Sequence, residues 1–260
     1  MSATTEIRRF DPFLLASLAS RDQLCLFLDV DGTLLDIAPS PQSVYVDDRL
    51  RDLLLRVRVA LGGAVALVSG RALATVDDLF ALYTWPAAGL HGGERRDASG
   101  QMHVRAADTA RLEPVRAALR RLVDETPGAV LEDKELALAV HYRSAPEFEW
   151  KLRRIVRQCA AQLAPEYHVF DGKCVVEIKP VAASKGHAIR AFLQEPPFIG
   201  RVPVFFGDDV TDVDGFACVE EAGGVSIAVG DNLPAMLHLA SPREVHALLG
   251  LFAVDTRYTQ

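Results

Sequence analysis

The sequence predicts an α/β protein with a Rossmann-like, doubly wound parallel sheet that is interrupted by an inserted α+β domain. Short, continuously apolar segments such as Leu24–Leu28 alternate with amphipathic helical segments, which is typical of strands buried on both faces of a parallel sheet. Between residues 105 and 179 the pattern changes to the order helix, strand, strand, and this order occurs twice. After Pro180 the first pattern returns, so we expect one core, 1–104 with 180–260, split by an insertion at 105–179.

The first part of the predicted core contains three strands and two helices. The strands are short apolar runs, and the helices carry apolar residues at helical spacing. In chain order these elements are a strand at 24–28, a helix at 47–60, a strand at 64–68, a helix at 72–82 and a strand at 87–90. A short helix is expected before the first strand, because Asp11 interrupts the apolar residues that a signal peptide would need.

The insertion is predicted to be an antiparallel sheet with two helices on one face. Its elements are a helix at 108–125, strands at 129–131 and 136–142, a helix at 147–163, and strands at 167–170 and 174–178. Asp171 and Gly172 are expected to form the hairpin turn between the last two strands. Before the insertion, Arg95 and Arg96 are interpreted as a solvated turn.

The second part of the core begins after Pro180. Its predicted elements are a helix at 184–193, a strand at 202–206, a helix at 211–221, a strand at 225–229, and two closing helices near 233–239 and 243–252. Strands that alternate with helices in this way pair in parallel, so both parts of the core are expected to share one sheet.

The composition excludes several classes of protein. The 260 residues include 28 Lys and Arg against 35 Asp and Glu, a net charge of −7, so a nucleic-acid partner is not expected. No apolar run approaches the ~20 residues of a membrane-spanning helix. The four cysteines lie among apolar neighbours without a Cys-x-x-Cys pair, which favours core positions in a cytoplasmic protein. The expected partner is a small molecule, and the sequence does not indicate an oligomeric state.

Two carboxylates follow the first predicted strand directly, in the segment Asp29-Val30-Asp31-Gly32-Thr33. Open parallel sheets place their sites at the carboxyl ends of strands. One carboxylate could attack phosphorus and the other could act as general acid and base, provided that a cation offsets the negative charge. A solvated turn is an alternative interpretation. A calcium loop is excluded because its glycine and glutamate would stand at other positions.

Three further segments at predicted strand ends or helix starts strengthen this interpretation. Ser69-Gly70-Arg71 offers a hydroxyl and backbone N–H groups that could bind a phosphate oxygen. Lys185 begins a predicted helix and could supply a cation. The segment 207–212 contains Asp208, Asp209 and Asp212, a set of carboxylates that suits a hard ion such as Mg²⁺. Each segment alone has an ordinary structural explanation, but their joint occurrence in this order favours phosphoryl transfer.

These segments resemble the haloacid dehalogenase superfamily of aspartate-dependent phosphatases. The resemblance implies that Asp29 is the nucleophile, Asp31 the general acid and base, and Lys185 a catalytic cation. It also implies that the insertion is a cap domain. The implied phosphate-binding residues are Gly32, Thr33, Ser69, Gly70 and Arg71. The implied ligands of Mg²⁺ are Asp29, the backbone carbonyl of Asp31, Asp208 and Asp209, with Asp212 as a further outer ligand.

Other segments are similar to the trehalose-6-phosphate phosphatase family. They are 89–95 (GLHGGER), 141–143 (HYR), 172–180 (GKCVVEIKP) with 184–186 (SKG), and 207–212 (GDDVTD). The resemblance implies contacts to substrate from His91, Glu94, His141, Arg143, Lys173 and Glu177. From the sequence pattern alone, a structural role is slightly favoured over a functional one for each of these six residues. One departure is visible: the family usually has Glu after the last Asp of this segment, whereas this chain has Val213, followed by Asp214.

The expected activity is Mg²⁺-dependent hydrolysis of trehalose 6-phosphate through an aspartyl phosphate, the last step of trehalose biosynthesis. A phosphatase of another sugar phosphate, such as sucrose 6-phosphate, is an alternative within the same chemistry. A non-catalytic sugar-phosphate-binding module is a second alternative, disfavoured by the joint presence of Asp29, Asp31, Lys185 and Asp208. A phosphomutase would use the same nucleophile but would have to keep water from the phosphorylated aspartate.

Overall fold

The computed structural model describes residues 23–37, 44–104, 109–134, 137–164, 166–180 and 184–253. The chain forms two compact units. The first consists of Met1–His103 with Ser184–Gln260, and the second consists of Val104–Ala183. The short helix predicted before the first strand lies outside the described residues.

Among the described residues, eight strands form the sheet of the first unit. They are β1 (Leu24–Leu28), β2 (Val65–Val68), β3 (Ala87–Gly89), β4 (Glu94–Arg96), β5 (Met102–Val104), β10 (Val202–Gly207), β11 (Val225–Val229) and β12 (Leu237–Leu239). Their order across the sheet is β12-β11-β10-β1-β2-β3-β4-β5. All neighbours from β12 to β3 are parallel, and β4 is antiparallel to β3. The predicted parallel sheet is confirmed.

Helices cover both faces of this sheet, as a doubly wound fold requires. They are α1 (Asp48–Ala60), α2 (Leu73–Leu79), α5 (Lys185–Phe192), α6 (Val213–Glu221) and α7 (Pro242–Ala253). Alternate residues of β1 enter opposite cores: Leu26 packs with apolar residues of α1, α2 and α7, whereas Phe27 packs with those of α5 and α6. Strand β1 is therefore buried on both faces, which explains its continuous apolar sequence.

Two predictions about the core are wrong. Arg95 and Arg96 are buried in β4 rather than exposed in a turn, because the carboxylates of Glu195 and Asp77 each form a bidentate ion pair with one of them. The predicted helix at 233–239 is instead the strand β12, which pairs in parallel with β11. In both places the decisive partner is distant in sequence or is supplied by a neighbouring strand.

The second unit contains a four-stranded antiparallel sheet within the described residues. Its strands are β6 (Val130–Asp133), β7 (Leu138–His141), β8 (Tyr167–Gly172) and β9 (Val175–Pro180), in the order β6-β7-β9-β8. Two helices, α3 (Thr109–Asp124) and α4 (Glu149–Ala160), share one apolar core with the sheet. Val140, Val176 and Ile178 point into this core, so the alternate residues of their strands lie on the opposite face.

The hairpin turn between β8 and β9 differs from the prediction. Asp171 and Gly172 belong to β8, and the turn consists of Lys173 and Cys174, with Cys174 in the left-handed region at φ 61°. The Asp171 carboxylate forms ion pairs with Arg153 and Arg157 of α4, so contacts with the helix hold Asp171 in the strand. In the part of the chain that the structure describes, no helix combines the length and apolar character that crossing a membrane requires.

Truncating Phe27 tests the packing of the core. Phe27 is fully buried and stacks on Phe198 with ring centroids 5.4 Å apart. We expect Phe27→Ala to lower the free energy of unfolding by about 3–5 kcal/mol, because a buried aromatic ring leaves a cavity. Tyr45→Ala is the control, since Tyr45 is 72% exposed, and it should cost less than about 1 kcal/mol. Equal losses in urea unfolding would contradict the placement of Phe27.

Candidate active site

The register of the sheet brings three loops to one edge. Leu28, the last residue of β1, lies opposite Leu67 of β2 and Phe206 of β10. The segments that follow these strands therefore begin at nearly the same level, and they carry Asp29, Ser69 and Asp208. The backbone N–H of Asp29 donates to the carbonyl of Phe206 at 3.0 Å, which fixes the start of the first loop.

A buried lysine joins two of these loops. Nζ of Lys185 lies 2.6 Å from Oδ1 of Asp29 and 2.6 Å from Oδ1 of Asp212. All three side chains are almost completely buried. Lys185 is the first residue of α5, so the helix holds the ammonium between the two carboxylates.

The close approach of Asp208 to the first loop explains why the loop contains Gly32. A Cβ atom at Gly32 would lie 1.9 Å from Oδ2 of Asp208, and the backbone there has φ +86°. Both the space and the left-handed backbone therefore require glycine. The hydroxyl of Thr33 lies 3.3 Å from Oδ1 of Asp208 and donates to it.

Asp212 lies among the carboxylates of the cluster, whereas Asp209 does not. Oδ2 of Asp212 accepts hydrogen bonds from the backbone N–H groups of Asp208 and Asp209, at 3.1 and 3.0 Å. The side chain of Asp209 is exposed and caps the short helical turn Val210–Asp212. Among the described residues, Asp29, Asp208 and Asp212 each offer an oxygen within 4.8 Å of the others, an arrangement that could hold a metal ion.

The burial of these groups changes their protonation. Burial raises the pKa of Asp29 to about 7, with the Lys185 ammonium opposing the shift and the charge of Asp208 adding to it. Burial likewise raises the pKa of Asp212 to about 7 and, with the charge of Asp212, that of Asp208 to about 6. Burial alone would lower the pKa of Lys185, but the neighbouring carboxylates outweigh it and raise that pKa, so the lysine stays charged.

The segment after β2 places Arg71 against Asp31. The guanidinium forms a bidentate ion pair with the Asp31 carboxylate, at 2.6 and 2.7 Å. Oγ of the buried Ser69 accepts a hydrogen bond from the backbone N–H of Arg71 at 3.1 Å. Both of the carboxylates in the first loop are thus held by cations: Asp29 by Lys185 and Asp31 by Arg71.

His91 and Glu94 support this segment. The backbone N–H of His91 donates to the carbonyl of Ser69 at 3.0 Å, and a Cβ atom at Gly70 would lie 2.7 Å from the His91 ring. Oε2 of Glu94 accepts from the backbone N–H of Leu73 at 3.0 Å, at the start of α2. Both residues are predicted substrate contacts, and in the structure both also contact the segment 69–73.

A second polar cluster lies on the face of the second unit's sheet opposite its helices. Nζ of Lys134 lies 2.9 Å from Oε1 of Glu177 and 3.9 Å from Oε2 of Glu132. Nε2 of His141 lies 2.8 Å from Oε2 of Glu132. Burial alone would raise the pKa of Glu132, but the hydrogen bond with His141 and the charge of Lys134 outweigh it and lower that pKa.

Two of the six predicted substrate residues belong to this cluster, His141 and Glu177. Arg143 follows β7 and Lys173 lies in the hairpin turn, and both are exposed. Glu132 and Lys134 were not predicted as site residues, because they fall between the predicted strands at 129–131 and 136–142. Their spacing of two residues was a usable signal for a shared face, since β6 extends to Asp133, directly before Lys134.

The titration of the acidic cluster gives a testable dependence on pH and cation. Between about pH 4 and pH 7 the folded, cation-free protein binds more protons at these carboxylates than the unfolded chain, in which an Asp pKa is about 3.9. Their contribution to the free energy of unfolding therefore falls as pH rises through this range. We expect Mg²⁺ to raise the melting temperature more at pH 8 than at pH 5, because protonated carboxylates bind cations poorly.

Calorimetry on two variants tests whether Asp208, rather than the exposed Asp209, binds the cation. Asp208→Asn should remove most of the Mg²⁺-dependent stabilisation, because it deletes one of the three carboxylates of the cluster. Asp209→Asn should keep most of it, since this side chain is exposed and asparagine can still cap the turn. If the two variants lost the effect equally, the set Asp29, Asp208 and Asp212 would be the wrong ligand set.

Comparisons with known proteins agree with this geometry. The trehalose-phosphatase family model matches residues 27–233. A relative from Sinorhizobium fredii, named "Probable trehalose-phosphate phosphatase", is 43% identical over 243 residues, covering 94% of this chain and 91% of the relative. A relative from Escherichia coli, named "Trehalose-6-phosphate phosphatase", is 46% identical over 204 residues, covering 78% and 76%.

A solved structure shares the fold. The C-terminal domain of trehalose-6-phosphate phosphatase from C. albicans superimposes with a TM-score of 0.84 at 24% identity, covering 96% of this chain and 99% of that domain. The fold is that of hydrolases of the haloacid dehalogenase superfamily. The strand-end carboxylates, the buried lysine and the matched family model lead to one conclusion: this chain belongs to the trehalose-phosphatase family.

Proposed function

We propose that this trehalose-phosphatase hydrolyses trehalose 6-phosphate to trehalose and phosphate, with Asp29 as the nucleophile. The observation that carries the assignment of Asp29 is its contact with Lys185, 2.6 Å from Nζ to Oδ1. A buried ammonium at this distance favours the ionised carboxylate and offsets the repulsion between two anions. Asp31 is more exposed than Asp29, which suits a group that exchanges protons with substrate and water, and its ion pair with Arg71 must open when it carries the proton.

The acidic cluster fits a divalent cation, and phosphatases of this superfamily generally use one. Its donors are carboxylate oxygens alone, which hard cations prefer. One lysine against three carboxylates leaves excess negative charge, and the pKa values of Asp29, Asp208 and Asp212 are raised by their burial and, in addition, by their mutual repulsion. We assign the cation as Mg²⁺, held by these three residues. When bound, it would neutralise charge on the phosphoryl group and on the nucleophile.

The first half of the proposed reaction forms an aspartyl phosphate. A carboxylate oxygen of Asp29 attacks phosphorus, and the bond from phosphorus to the sugar oxygen breaks. Asp31 gives its proton to the departing 6-oxygen, so trehalose leaves as a neutral alcohol. Lys185 stays protonated and holds Asp29 and Asp212 in place throughout.

The second half releases phosphate. Asp31, now ionised, takes a proton from a water molecule, and the water oxygen attacks phosphorus. The bond from phosphorus to Asp29 breaks, which restores both carboxylates and frees inorganic phosphate. Gly32, Thr33, Ser69, Gly70 and Arg71 are assigned to phosphate binding. In support, these residues lie in the loops that follow β1 and β2, at the same edge of the sheet as Asp29.

We assign the second unit, predicted as the cap 105–179, to recognition of the sugar. The cluster of Glu132, Lys134, His141 and Glu177 supports this, because sugar hydroxyls bind best to charged, oriented partners. These side chains lie on neighbouring strands and orient one another through ion pairs. His91, Glu94, Arg143 and Lys173 are the remaining predicted contacts.

We also assign the protein to the cytoplasm. The four free cysteines support this assignment, because cysteines stay reduced there.

Phosphate release with Mg²⁺ tests the proposed activity. Trehalose 6-phosphate should be hydrolysed with a kcat/KM at least about 100-fold above that for glucose 6-phosphate or sucrose 6-phosphate. A sugar without hydroxyls in the matching positions would leave the polar side chains of the cluster unpaired, and that strongly disfavours its reaction. A preference for another sugar phosphate would keep the chemistry and change the substrate. Release that is unaffected by a chelator would contradict the role of the cation.

Asp29→Asn tests the nucleophile. The variant should lose at least about a thousandfold in turnover, because a neutral amide cannot form the aspartyl phosphate. It should remain folded, since Asn keeps the size of Asp and can still accept a hydrogen bond from Lys185. A circular dichroism melt is the control for folding. Turnover near the wild-type rate would show that another group attacks phosphorus.

Glu177→Gln and Lys134→Met test sugar recognition. Each should raise KM for trehalose 6-phosphate about tenfold or more, since hydrogen bonds to charged groups contribute about 1.5–3 kcal/mol. Hydrolysis of p-nitrophenyl phosphate, which has no sugar, should change little. Asp133→Asn is the matched control, because Asp133 is the strand neighbour of Glu132 but pairs with Arg116 of α3. Equal effects on both substrates would place the cluster outside sugar recognition.

A further inference from the structure

We infer that Asp214 is a positioning residue for Lys185: its carboxylate holds the first turn of α5, the helix that presents the lysine. This inference rests on the catalytic role proposed for Lys185. The backbone N–H of Gly186 donates to Oδ2 of Asp214 at 3.0 Å. The sequence analysis left Asp214 without a role, noting it only as the neighbour of Val213.

The hydrogen bond joins two different elements. The first turn of a helix has backbone N–H groups without partners inside the helix. In α5, Oγ of Ser184 accepts from the N–H of His187 at 3.1 Å, which is an ordinary cap made by the preceding residue. Asp214 supplies the partner for Gly186 from the start of α6, so it ties α5 to a separate segment of the chain.

The backbones meet at the same point. A Cβ atom at Gly186 would lie 2.6 Å from the carbonyl oxygen of Asp214. A Cβ atom at the next residue of α6, Gly215, would lie 3.3 Å from a side-chain carbon of Ile189 in α5. The two helices therefore approach each other as closely as glycine permits, and the hydrogen bond from Gly186 to Asp214 sits within this contact.

Two neighbouring residues of α5 are held by two residues of one short segment. Lys185 binds Asp212 through its side chain, and Gly186 binds Asp214 through its backbone. A lysine stem has four rotatable bonds, so the position of Nζ is defined well only if the backbone beneath it is fixed. The contact of Asp214 with Gly186 fixes that backbone relative to the carboxylates that the ammonium must reach.

The first test replaces Asp214. Asp214→Ala should lower kcat for trehalose 6-phosphate about tenfold or more, with KM changed less than about threefold, because a small displacement of a catalytic group is costly for turnover. Asp214→Asn should restore kcat to within about threefold of the wild type, since its amide oxygen can still accept the hydrogen bond. A merely structural role for Asp214 would lower stability without this split between kcat and KM.

A matched control removes a cap elsewhere. Asp47 accepts a hydrogen bond from the N–H of Leu50 at 2.8 Å and caps α1. Asp47→Ala and Asp214→Ala each delete one acceptor at a helix start, so each should lower the melting temperature by a similar amount. Only Asp214→Ala should lower kcat. If the control lost as much turnover, general destabilisation would explain the result and the inference would be wrong.

A second variant changes the other residue of this contact, Gly186. Alanine is normally favoured over glycine inside a helix by about 1 kcal/mol. Gly186→Ala should nevertheless lower kcat about tenfold, because the new methyl group pushes α5 away from Asp214. A variant with full turnover would overturn the inference, and this result does not depend on whether Asp214→Ala folds.

Lys185→Met separates failure of the inference from failure of the proposed function. If Lys185→Met kept wild-type turnover, the catalytic role of the lysine would be wrong, and the inference would fall with it. If Lys185→Met were inactive while Asp214→Ala and Gly186→Ala kept full turnover, only the inference about Asp214 would fail. Loss of turnover in all three, with rescue by Asp214→Asn, is the expected result.

Discussion

The ammonium of Lys185 bridges the carboxylates of Asp29 and Asp212 in the interior of the first unit, at 2.6 Å from each. Removing these charges from water is costly, and the cost is offset only because the ion pairs have short, well-aligned contacts. One cation cannot neutralise the third carboxylate of the cluster, Asp208, and this repulsion adds to the burial that raises the pKa values of the acids. The same imbalance makes the cluster suitable for a divalent cation.

Close packing of the backbone maintains this charge arrangement. A Cβ atom at Gly32 would collide with Asp208, and one at Gly207 would lie 2.4 Å from the Asp212 carboxyl carbon. The carboxylates of Asp208 and Asp212 thus pack directly against the main chain of a glycine, so they have little freedom to separate when their charges repel. Such rigidity is what electrostatic catalysis requires, because groups that are already oriented need not reorganise during the reaction.

The second unit also combines an apolar core with charged side chains that pair with one another. Its helices and one face of its sheet bury apolar side chains, which leaves the other face available for polar groups. Glu132, Lys134 and Glu177 occupy that face and restrain one another through ion pairs. The proposed phosphate chemistry and the proposed recognition of sugar hydroxyls are thus assigned to different units of the chain.

The sequence by itself determined the fold class and the sites of the main chemical groups. Continuous apolar runs identify strands buried on both faces, and charged residues directly after such runs lie at one edge of the sheet. For this reason Asp29 and Asp208 were predicted to lie at one edge of the sheet, whereas Lys185 was singled out as a cation at the start of a predicted helix. The helix at 243–252 was also predicted correctly, since its apolar residues follow the helical period over several turns.

Only the tertiary structure decided which neighbouring carboxylate turns inward and which polar residues are buried. Asp209 and Asp212 lie three residues apart on one short turn, and the contact with Lys185 selects Asp212. In the sequence, Arg95 and Arg96 resemble a solvated turn, but in the structure they form ion pairs with Glu195 and Asp77. Local sequence patterns report the period of burial along the chain, whereas ion pairs between distant residues depend on how the elements pack together.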